Sequence, residues 1–199
     1  MIGYTFDFHP LTFIGAYLII VLIVFIRFYI SKKNISSKNR SYILSFIFYI
    51  LSLFKFTMLP ITYLYAGHKV HYPNLYDNLI PFKTIVGAFQ HGNYIQNFGN
   101  VLLLLPLPIL LQLVSQKSYS FLRTFITCFI VSLSIEITQY IIDLLTQYPN
   151  KVADIDDVIL NVFGGILGWF AYKVLIDFGF FVKFKTLSES FYKRRINTR

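Results

Sequence analysis

The chain has 199 residues, of which 56% are hydrophobic and only 14% charged, and it carries a formal net charge of +9. A soluble domain carries about 25% charged residues, and several apolar runs here reach the roughly 18 residues that argue for a membrane span. These values exclude an ordinary soluble domain, and they make the positive charge a matter of membrane topology before nucleic-acid binding.

The expected fold class is all-α: a polytopic membrane helical bundle with five transmembrane helices, seated in the cell membrane. The first span is predicted over Leu11–Ile30. Asp7 and His9 precede it and no basic n-region does, so it is expected to be retained rather than cleaved as a signal peptide. A basic loop, Ser31–Arg40, leads to a second span that starts at Ser41 and ends between Leu59 and Tyr65, with Pro60 blurring the end. The connection Ala66–Tyr94 contains Asn78-Leu79-Ile80-Pro81-Phe82 and three of the four histidines. His68 and His71 are half a metal site at most and read as surface residues.

The third span, Ile95–Val114, opens with Asn97-Phe98-Gly99-Asn100 and is interrupted by Pro106 and Pro108. A proline inside a spanning helix removes a backbone bond, so this span is expected to bend or to end early and re-enter. The fourth span covers Thr124–Leu145 and the fifth Val158–Ile176. The division that follows has three parts: residues 1–40, the first helix and basic loop; 41–176, a four-helix membrane domain; and 177–199, a basic aromatic tail expected along the inner leaflet. The single cysteine, Cys128, lies in an apolar run, which excludes an internal disulfide and suits packing.

Lysine and arginine counts orient the bundle. Loop one–two, loop three–four and the tail hold twelve, whereas the N-terminus and the other two loops hold three. By the positive-inside rule the N-terminus is outside and the C-terminus inside.

Five of the nine acidic residues fall between positions 136 and 157. Ser132, Glu136, Gln139 and Asp143 are spaced i, i+4, i+7 and i+11, so they share one face of the fourth span. Glu136 lies roughly 14 Å below the outer end of that span, near the bilayer middle, where a carboxylate is costly and marks a functional candidate. A protonated or hydrogen-bonded Glu holding helices together is the structural alternative, and Ser132 reads as packing. On the fifth span Asp154, Asp157 and Asn161 share a face. Asp154 or Asp156 suits an N-cap, and Gly164 and Gly168 suit close helix approach.

The candidate binding pocket gathers Lys55, Asn97, Asn100, Glu136, Gln139, Asp143, Lys151, Asp154, Asp156, Asp157 and Asn161 on the outer side. Lys55, the one basic residue well inside a span, is expected either to pair with Glu136 or Asp143 or to snorkel outward. Amide and carboxylate oxygens are hard ligands, which makes a divalent cation a candidate occupant. No cofactor is identified.

Four blocks in order carry a resemblance: Asn78-Leu79-Ile80-Pro81-Phe82 with Lys83-Thr84-Ile85; Asn97-Phe98-Gly99-Asn100 with Pro106; Ser132-x-x-x-Glu136-x-x-Gln139; and Asp154-Ile155-Asp156-Asp157-x-x-x-Asn161-x-x-Gly164-Gly165-x-x-Gly168. Across residues 41–176 the chain resembles the VanZ-like family of bacterial membrane proteins. It departs from the family pattern at Lys151, where an arginine is usual, and at Leu107-Pro108, where a glycine usually follows the proline. Lysine keeps the charge but not the bidentate geometry.

The resemblance implies a Gram-positive envelope protein. The family takes its name from a protein linked to low-level resistance to the glycopeptide teicoplanin. The expected partners are the lipid bilayer and a lipid-linked envelope precursor or a glycopeptide, with no nucleic acid. Two other readings stand beside this one. One is an enzyme acting on a lipid-linked substrate, with Glu136, Asp154 and Asp157 as acid–base or metal groups. The other is a small transporter or flippase subunit.

Overall fold

The computed structural model describes residues 3–30, 36–64, 76–92 and 94–196, with side chains from Asp177 onward (Gly179 apart) and that of Leu64 outside the description. His68, His71, Lys32 and Lys33, and the side chains of the basic tail, lie outside the described residues. Among the described residues seven helices run in the order α1 (Pro10–Ile30), α2 (Ser37–Met58), α3 (Lys83–His91), α4 (Tyr94–Leu104), α5 (Pro106–Ser115), α6 (Phe121–Thr146) and α7 (Ile155–Ile196). Five stretches of the described residues are long and apolar enough to cross a membrane: α1, α2, α4 with α5, α6, and Ile155–Ile176 of α7. The chain is a helical membrane protein.

Local chemistry explains the boundaries. Ser36 caps α2 by accepting the Asn39 amide hydrogen, and Ser120 caps α6 by accepting that of Arg123. Pro106 and Pro108 have no amide hydrogen to return to the carbonyls four residues earlier, which separates α4 from α5 within one span. The neighbouring Leu103 carbonyl accepts the Tyr49 hydroxyl at 2.9 Å, so α2 takes up backbone polarity at the bend. The third span is broken at Leu105 and continues as α5.

α7 is the central element, packed on α6, α4 and α5, whereas α1 leans on α2 alone among extensive contacts. Glycine makes the close packing of α7 feasible. A Cβ at Gly164 would lie 1.9 Å from the Val101 carbonyl oxygen, and one at Gly168 would lie 2.0 Å from that of Leu105. Backbone meets backbone there, as small-residue spacing allows.

The all-α expectation requires one addition. Two short strand pairs sit at one end of the bundle: β1 (Gly3–Phe6) antiparallel to β2 (Ile61–Leu64), and β3 (Asp77–Asn78) parallel to β4 (Ala153–Asp154). The first ties the start of α1 to the end of α2. The second joins the Asn78 block to the start of α7.

Candidate functional site

The polar face of α6 organises this end of the molecule, each residue reaching a different element. Asn161 Nδ2 on α7 donates to Ser132 Oγ at 3.0 Å. Glu136 Oε2 accepts the Asp154 amide hydrogen at 2.9 Å. Gln139 Nε2 donates to the Thr57 carbonyl at 2.9 Å. Asp143 Oδ1 accepts the amide hydrogens of Asn150 at 2.9 Å and Lys151 at 3.4 Å. One helical face therefore holds α7, β4, α2 and the loop before α7 in register.

The three aspartates that open α7 divide their work. Asp154 Oδ1 accepts the Asp156 amide hydrogen at 2.9 Å, which caps α7, and also Asn78 Nδ2 at 3.0 Å. Its Oδ2 accepts the Thr84 hydroxyl. Asp156, fully buried, turns the other way. It accepts the amide hydrogens of Phe82 at 2.5 Å, Thr84 at 2.8 Å and Ile85 at 3.1 Å. Phe82, the residue before α3, has a φ of 67° and offers no side-chain cap. Asp156 thus caps α3 from another helix, filling the amides that a helix start leaves unpaired. Asp157 points into a cavity.

That cavity, of about 840 Å³, lies among α2, α4, α6 and α7 and is lined by seven of the expected residues: Asn100, Glu136, Gln139, Lys151, Asp154, Asp157 and Asn161. It exists because α2 packs on α5 and α6 but makes no extensive contact with α4. Glu136, Asp154 and Asp157 stand close enough for their charges to repel, with Gln96 and Asn100 beside Asp157. Gln139 Oε1, Asn161 Oδ1, Asp157 Oδ1 and Asn100 Nδ2 are buried without a hydrogen-bond partner among the described residues. A second, mainly apolar cavity of about 350 Å³ lies across the Glu136–Asp154 wall, lined by Leu79, Leu133, Ile137 and Val158 among others.

Four expected residues are not in the wall of the large cavity. Lys55 donates to the Phe8 carbonyl at 3.0 Å and lies 5.7 Å from the centre of the Phe13 ring. It pairs with neither Glu136 nor Asp143, because the cavity face of α2 is Ser52, Phe56, Tyr49, Leu53 and Thr57, and Lys55 is turned about 120° from Tyr49 at its centre. Asp143 and Asp156 are turned to backbone amides, as above. Asn97 is buried outside the lining. Lys151 donates from Nζ to the Phe56 carbonyl. Burial pulls its ammonium below the ordinary lysine range, and the Asp7 carboxylate opposes that pull.

Tyr49, Ser52, Phe56, Thr57 and Gln96 line the cavity without having been expected there. The signal available was the i, i+3, i+7 spacing of Tyr49, Ser52 and Phe56 on one face of α2. Among the described residues, no group of three His, Cys, Asp or Glu side chains is placed to hold a metal ion.

The VanZ/LLP1 family model matches residues 46–176. The curated protein named Protein VanZ from Enterococcus faecium is 35% identical over 91 residues, covering 46% of this chain and 48% of that protein. The aligned stretch is thus about half the length of that relative. No solved structure matches the chain. The matched region contains α6 with its polar face, the Asn78 and Asp156 contacts that pin α3 to α7, and every residue that lines the large cavity, and on that match the chain belongs to the VanZ/LLP1 family.

Proposed function

We propose that this protein is a multi-pass component of the bacterial cell membrane that engages a lipid-linked envelope component or a glycopeptide at the outer leaflet, and so contributes to glycopeptide resistance of the teicoplanin type. The observation that carries this reading is the cavity itself, where Glu136 converges with Gln139, Asp157 and Asn161, the last three each keeping an unpaired polar atom. Buried polar groups are ordinarily hydrogen-bonded, and a space lined by unpaired ones suits a polar ligand. Its outward direction rests on the positive-inside rule, since the excess of basic residues falls in the loops at the other end.

The test is complementation of a strain lacking the protein, scored by teicoplanin susceptibility. Glu136→Gln and Asp157→Asn abolish the protective effect at unchanged membrane abundance. Full protection by both variants would remove the cavity from the account.

A further inference from the structure

What the cavity wall turns inward follows from what each side chain holds at its other end. Gln139 Nε2 donates to the Thr57 carbonyl. A carbonyl only accepts, so the amide has one orientation, and Oε1 faces the cavity. That oxygen is buried and unpartnered, on a side chain only 8% exposed. Glu136 gives Oε2 to the Asp154 amide, which leaves Oε1 for the cavity. Asp157 Oδ1 is likewise buried without a partner among the described residues. With Asn161 Oδ1, also buried and unpartnered, four acceptors, two of them carboxylate oxygens, line one space.

No cation among the described residues balances them. The charges close enough to act on Glu136 and Asp157 are those of other carboxylates. Lys151, the cation in the lining, gives one N–H to the Phe56 carbonyl, has Asp7 as its charged neighbour and pairs with neither Glu136 nor Asp157. The wall holds more acceptors than donors and more negative than positive charge.

We propose that the cavity binds a primary ammonium group carried by a membrane amphiphile, an inference that rests on reading the cavity as the ligand site. A primary ammonium offers three N–H donors and no acceptor, matching both deficits with one group. A phosphate or carboxylate would add acceptors and negative charge to a wall already rich in both. A quaternary ammonium has the charge but no donor, and neutral hydroxyls have donors but leave two carboxylates without a counter-charge. Asn100, beside Asp157, turns either end of its amide toward whatever atom adjoins the amine.

The amphiphile follows from the mouth of the cavity. Phe56 on α2 and Leu102 on α4 both line it and are 67% and 62% exposed. On membrane spans such apolar side chains face lipid, so the cleft between α2 and α4 opens sideways onto the bilayer. A head group enters there without leaving the membrane, its chain trailing along α2 and α4.

The experiment uses the full chain in detergent, with retained lipid read by native mass spectrometry. The probes are phosphatidylethanolamine, phosphatidylcholine and phosphatidylglycerol with identical chains, and free ethanolamine. The ethanolamine lipid is retained about tenfold over the other two, the worth of a charge-assisted bond. Glu136→Gln and Asp157→Asn each erase the preference. The first keeps an amide oxygen to accept the Asp154 N–H, so the fold has no reason to fail, and thermal unfolding of both variants checks it. Equal retention of the three lipids, or a preference that survives both variants, overturns the proposal. Free ethanolamine binding as tightly as the lipid overturns the amphiphile part. Equal retention while both variants still lose protection sinks the ammonium and leaves the functional reading intact. A clear preference with protection intact in both variants sinks the functional reading and leaves the ammonium site.

Discussion

Two polar regions lie side by side at the head of α7, and they treat their acids in opposite ways. In the first, Asp156 accepts three backbone amide hydrogens from the start of α3, and Asp154 binds Asn78, Thr84 and its own helix. In the second, Glu136 and Asp157 keep oxygens turned to an open cavity. The buried glutamines repeat the contrast. Gln112 donates to the Pro108 carbonyl at 2.9 Å and accepts the Tyr119 amide hydrogen at 2.8 Å, so both its ends are satisfied. Gln139 satisfies one end and leaves the other facing the cavity. Asp156 and Gln112 are saturated by the fold, and Gln139 is held half-open.

The largest effect that sharpens this contrast falls on the saturated side. Asp156→Asn leaves one acceptor for three amides and brings an NH₂ against them, so it destabilises by about 3 kcal/mol or more. Thermal unfolding in detergent and membrane abundance both fall, and unchanged values would dissolve the distinction. Gly168→Val comes next, because its Cβ would lie 2.0 Å from a backbone oxygen that cannot swing away. Parting α7 from α5 costs roughly 1–3 kcal/mol, again read by thermal unfolding. Asp143→Asn comes third. It keeps a carbonyl oxygen for the Asn150 and Lys151 amides, loses about 1 kcal/mol, and retains the protective phenotype because Asp143 does not line the cavity.

The sequence discloses the five spans because hydropathy over about 18 residues needs no tertiary knowledge. The polar face of α6 is equally legible from helical spacing, as is the Asp154, Asp157 and Asn161 face of α7. Lys55 shows where such reasoning stops. Counting along a span gives its depth but not its azimuth, and Lys55 at the right depth faces Phe8 rather than Glu136. Asp156 shows a second limit. An acid in a first turn reads as a cap for its own helix, yet this one caps α3, 71 to 74 residues away in sequence. Tyr49, Ser52 and Phe56 went unexpected because residues without charge do not announce a cavity. The two strand pairs were hidden because two to four residues carry too little pattern.

The central claim is that Glu136 serves a ligand while Asp156 serves the fold. Side-by-side melting of Glu136→Gln and Asp156→Asn in one detergent, with membrane abundance and protection scored in parallel, tests it most directly. The account predicts that Glu136→Gln loses about 1 kcal/mol or less and loses protection, while Asp156→Asn melts far lower. If the two variants lose stability alike, Glu136 is one more structural acid and the cavity has no claim on function.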